Sequence, residues 1–130
     1  MNEFDERRNE ARKKVVAFTP VYDLNTRKLL GYLRDLTLKG ALVIGEKTVA
    51  VNTQTKLAIE LPGDLPGILN NRLTISARVA RCVDDDFPNS YKLGFEFMDI
   101  TAEQIQVIEA LLERYHFRHK RYTLQDPGAI

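Results

Sequence analysis

From residue 72 to 83 the side chains alternate. Leu73, Ile75, Ala77 and Val79 fall on one face, and Thr74, Ser76 and Arg78 on the other. A period of two is what a strand needs to keep one face dry and the other wet, and a helix cannot satisfy it. The rest of the chain must therefore supply strands for this one to pair with, and it does. Residues 15–18, extending toward Val21 and Tyr22, read as a first strand, with Pro20 marking a sheet edge or a bulge. Residues 28–34 and 40–44 read as a second and a third. Residues 56–61 alternate like a half-buried strand, and residues 91–98 close the series. Turn chemistry separates these runs: Asp23-Leu24-Asn25-Thr26-Arg27, then Pro62-Gly63-Asp64 with Pro66-Gly67 and Asn70-Asn71, then Asp84 to Asn89.

After Met98 the period changes. Ile105, Ile108, Leu111, Leu112 and Tyr115 recur at helical spacing, and Thr101 with Gln104 three residues on reads as a capping box. Six strands followed by one helix predict a mainly β fold, a small antiparallel barrel or closed sheet whose open end the apolar helix face covers. Closure leaves no bare strand edges, which suits a chain with so many β-forming runs. The expected organisation is a flexible basic arm over residues 1–14, the barrel and helix over 15–115, and a charged, frayed tail over 116–130.

With 130 residues, 44% of them hydrophobic, the chain can build one domain around a core without staples. No apolar run is long enough to insert into a membrane, and the first residues carry no apolar stretch like that of a secretory signal. The lone cysteine, Cys82, fits a reducing compartment, so a cytoplasmic location is expected. A net charge of +1 argues against DNA or RNA as a partner. No serine–histidine–acid set, no glycine-rich phosphate loop before a helix and no metal-spaced cluster is visible. Catalysis and a bound cofactor are therefore not expected. His116 and His119 lack a second pair of metal ligands, and Asp84-Asp85-Asp86 lacks the spacing of a calcium loop.

Two polar clusters remain. Arg7, Arg8 and Arg12 crowd the arm, and Asp35-Leu36-Thr37-Leu38-Lys39-Gly40 lies between the second and third strands. Each has a bland reading: a solvated helix start for the first, an ordinary β-turn for the second. Together they offer guanidinium forks on one side, and a carboxylate, a hydroxyl and a tight turn on the other. That set suits a planar, anionic ligand whose base edges carry both donors and acceptors. Gly40 is expected to serve through positive φ and close backbone approach. Arg81, on a strand able to run beside the turn, is a weaker candidate.

Arg8-Asn9-Glu10-Ala11-Arg12, then Asp35-x-Thr37-x-x-Gly40, then Leu93-Gly94-Phe95-Glu96-Phe97 resemble the PilZ domain family over roughly residues 6 to 115. The family's signatures are Arg-x-x-x-Arg and Asp or Asn-x-Ser-x-x-Gly, and Thr37 stands where serine is usual, keeping the hydroxyl. The resemblance implies a six-stranded barrel that binds the bacterial second messenger cyclic di-GMP through Arg7, Arg8, Arg12, Asp35, Thr37 and Gly40. It implies that Arg7 accompanies binding of a stacked pair of ligands. The arm would be ordered by the ligand and the new surface read by a separate effector protein, in contexts such as motility or biofilm regulation. Two alternatives stay open: a PilZ-like interaction scaffold without nucleotide binding, and a small barrel for single-stranded nucleic acid. The second would need aromatic stacking platforms, and the chain has no tryptophan.

Overall fold

The computed structural model describes residues 14–61 and 72–118, with the backbone alone at 14–17 and 116–118. The arginines of the arm, the 62–71 connection and the tail from residue 119 lie outside the described residues. The strands are β1 (Lys14–Ala17), β2 (Pro20–Asp23), β3 (Lys28–Leu36), β4 (Gly40–Gly45), β5 (Gln54–Glu60), β6 (Arg72–Asp84), β7 (Tyr91–Phe97) and β8 (Tyr115–Arg118). Among the described residues the one helix, α1 (Ala102–Arg114), lies between β7 and β8.

Six of the strands close on themselves in the order β2-β3-β4-β7-β6-β5, every neighbouring pair antiparallel. The alternation seen in residues 72–83 is the cause. Leu73, Ile75, Ala77 and Val79 of β6 are buried, and so are Leu57 and Ile59 of β5, Val43 of β4, Leu33 of β3 and Leu93 and Phe95 of β7. These side chains fill the barrel as one cluster. Their burial supplies the hydrophobic gain that holds the sheet closed, at roughly 1.5–3 kcal/mol for each large side chain.

Antiparallel closure sorts the connections onto two ends. The start of β2, the end of β3, the start of β4, the end of β7 and the start of β6 share one end. The helix follows β7 and lies at that same end. Thr101 caps it as expected: its side chain accepts from Gln104 N, and Gln104 Oε1 accepts from Thr101 N in return. Gln104 Nε2 also donates to Thr74 O of β6, at 2.8 Å, tying the first turn to the barrel. Ile108 and Leu111 are fully buried and join the barrel cluster, so the helix plugs the open end.

Two sequence expectations need correction. The first strand is not one run. Phe18 takes φ 62 and breaks it into β1 and β2, because the two pieces serve different partners. β1 pairs in parallel with β8, Lys14 against Tyr115, whereas β2 joins the barrel. Tyr115 is not the last turn of the helix, and residues 116–118 are not tail: they form β8. Tyr115 has extended dihedrals and is still buried, in the same cluster as the helix face.

Candidate functional site

The connection from β3 to β4 is built by Thr37. Its Oγ1 accepts from Lys39 N and Gly40 N, both at 3.1 Å, and donates to Gly40 O at 3.3 Å. Thr37 N also donates to Gly40 O, at 2.9 Å. One hydroxyl has one proton and two lone pairs, so this side chain is fully committed to the turn. Lys39 O in turn accepts from Phe97 N, which pins the turn to the end of β7.

Gly40 is required for a reason other than the expected one. Its φ is not positive. A Cβ at this position would stand 2.0 Å from Phe95 O, so β7 can approach β4 here only over a bare Cα. Asp35 sits two residues before the turn and is exposed. Its Oδ1 accepts from Leu36 N at 2.9 Å, a local bond that sets the carboxylate beside the strand end.

Strand register carries these positions across the outside of the barrel. Asp35 lies opposite Leu42, Leu42 opposite Gly94, and Gly94 opposite Arg81. The row therefore runs over β3, β4, β7 and β6. A second row, Gly40, Glu96 and Arg78, runs beside it. The two rows and the turn enclose a shallow depression of about 400 Å³. It is lined by Asp35, Thr37, Lys39 and Gly40 on one side and by Leu42, Gly94, Arg81 and Glu96 on the other. Arg78 donates to Glu96 Oε1 and to Asn52 Oδ1, each at 2.8 Å, so the charge of Glu96 is matched at the rim.

The structure thus brings together Asp35, Thr37, Gly40 and Arg81. Arg7, Arg8 and Arg12 lie outside the described residues, but the place where the chain passes from β1 into the barrel is defined. Thr19 O accepts from Leu33 N, and Pro20 pairs with Tyr32, so the chain enters beside β3 just before Asp35. Leu42, Glu96 and Arg78 were not singled out by sequence reasoning. They become neighbours of the turn only through the β4–β7–β6 register, and no local spacing signals that. A second depression, of about 340 Å³, lies toward the other end between β3, β4 and the segment after β4, and contains none of the expected site residues.

The model of the PilZ domain matches residues 6–114, the whole of the barrel and the helix together with the arm cluster. The chain belongs to the PilZ domain family. Among solved structures, this PilZ chain resembles the PilZ domain with cyclic di-GMP of YcgR from Escherichia coli. The TM-score is 0.57 at 14% identity, covering 72% of this chain and 77% of that one. It also resembles the Bacillus subtilis inhibitor of motility (MotI/DgrA), with a TM-score of 0.54 at 19% identity, covering 70% of this chain and 43% of that one. At such identities the likeness is one of fold. None of the curated proteins matches the chain. Among the described residues no helix is long and apolar enough to cross a membrane.

Proposed function

We propose that this PilZ chain is a receptor for cyclic di-GMP, a regulatory binding module rather than a catalyst, working in the cytoplasm. The observation behind the reading is a carboxylate and a tight turn at the rim of one depression at a barrel end. The Asp35 carboxylate and the Thr37–Gly40 turn line one open depression, and the strand β1, which follows the segment bearing Arg7, Arg8 and Arg12, leads into the barrel at Thr19, beside Leu33 of β3. Family membership and the likeness to a PilZ domain solved with cyclic di-GMP support it.

The chemistry is complementary. Guanine presents two acceptors on its Hoogsteen edge, which an arginine fork meets with two bonds, and the same fork pairs with phosphate. Arg8 and Arg12 serve these edges or the ring phosphates, with Arg7 adding a third contact. The Asp35 oxygen that Leu36 N leaves unused accepts from guanine's Watson–Crick donors. Thr37 and Gly40 act by fixing the turn and the close β4–β7 approach that make the floor. Charge-assisted bonds offset the entropy of ordering the arm, and the surface so formed is read by a separate effector protein. Amide exchange over residues 5–14 checks this. Saturating cyclic di-GMP is expected to slow exchange there while leaving the barrel strands as they were, and unchanged exchange at saturation would sink the reading.

A further inference from the structure

Arg81 reaches the outer row because of an irregularity in β6. Val79 pairs with Phe95 and Arg81 with Gly94, so one residue, Ala80, is skipped in the ladder. Without that shift the alternation of β6 would turn position 81 toward the core, on the face of Val79. Instead Cys82 takes the inward place, packed against the barrel cluster, and Arg81 lies outside. Its stem crosses Gly94: a Cβ there would stand 3.2 Å from Arg81 Cγ and 3.7 Å from Nε. The acid two residues further along β7, Glu96, is already engaged by Arg78. Among the described residues, no hydrogen bond or ion pair holds the Arg81 guanidinium.

Asp35 and Arg81 are thus opposite charges at the two ends of one row, with a gap between them. Three strand spacings separate their Cα atoms, about 14 Å. The stem lying over Gly94 brings the guanidinium back by about one spacing. What remains is roughly 10 Å, the width of a purine with a hydrogen bond at each edge. Leu42, half-buried and facing outward, is the apolar floor of that gap.

We infer that Arg81 forks onto the acceptor edge of one guanine of the ligand, the guanine whose donor edge meets Asp35. The barrel wall then reads that base from both sides without help from the arm. The inference rests on the cyclic di-GMP reading. It makes Arg81 a specificity residue: adenine puts an amino donor where guanine has its carbonyl, and a guanidinium has no acceptor to meet it.

The test is calorimetric titration of wild type, Arg81→Ala and Arg81→Lys. Each is titrated with cyclic di-GMP and with an analogue carrying C–H in place of N7 in both guanines. Arg81→Ala is expected to weaken cyclic di-GMP binding about tenfold or more. Arg81→Lys is expected to do the same, because lysine lacks the planar fork. The penalty that the analogue suffers with wild type should shrink with Arg81→Ala. Gly94→Ala leaves the arginine in place but displaces its stem, and should shift affinity in the same direction. Wild-type affinity in Arg81→Ala or Arg81→Lys, or an undiminished analogue penalty in Arg81→Ala, overturns the inference while the receptor reading stands. If wild type itself binds no cyclic di-GMP, the receptor reading fails, and the inference with it.

Discussion

Thr37 and Gly40 show how two motif positions act through structure. The Thr37 hydroxyl makes three hydrogen bonds within its own turn, so replacing it with serine preserves the whole set. Thr37→Ser should leave urea unfolding unchanged. Thr37→Ala strips the turn of these bonds and should cost about 1–2 kcal/mol in the same measurement. Gly40→Ala is the harsher change, because the new methyl meets Phe95 O of the neighbouring strand rather than a flexible side chain. A loss of roughly 2 kcal/mol or more is expected, read as a lower denaturant midpoint. The turn at this candidate site was legible in the sequence, but not the reason for each of its residues. Asp-x-Thr-x-x-Gly announces a turn with a carboxylate before it. It does not show that the glycine answers a close strand contact, since that contact comes from β7, far along the chain. Leu42 and Glu96 were illegible for the same cause: a strand carries no record of which strand lies beside it.

At the level of elements, the strands of the barrel were readable because one dry face imposes a period of two, and the helix because its cap and its apolar stripe agree. The helix also contributes directly to the core, since Ile108 and Leu111 are fully buried in the cluster that fills the barrel. Leu111→Ala should therefore cost about 2–5 kcal/mol. Thermal or urea unfolding should show it as a loss for the whole domain in one transition, not as local fraying of the helix. The β1–β8 pair was not readable. Residues 15–18 read as a strand, but β8 is four residues long, too short to show a period, and its partner lies at the opposite end of the chain in parallel register. The same pairing explains the break at Phe18, which turns the backbone from the β1–β8 ribbon into the barrel wall. The ring of Phe18 meets that of Tyr32 edge-on, at 6.2 Å, and anchors the corner to β3.

For the whole molecule, closure of the sheet leaves the barrel without a bare edge, so recognition falls to its outer face and its ends. One end gathers the helix plug, the Thr37 turn, the Asp35 carboxylate and the start of β2, with the Asp35–Arg81 row on the wall beside them. In the proposed receptor, arm and turn are two halves of one clamp for cyclic di-GMP. Calorimetric titration of wild type beside Arg8→Ala and Asp35→Ala tests it most directly, with melting curves to show that each variant is folded. Asp35 is exposed and, among the described residues, its one hydrogen bond is local, so its loss should leave the fold intact. Wild type is expected to bind, and each substitution to weaken binding about tenfold or more with little change in melting temperature. No heat from wild type at high ligand, or wild-type affinity in both folded variants, would contradict the clamp and favour a PilZ scaffold that works through protein contacts alone.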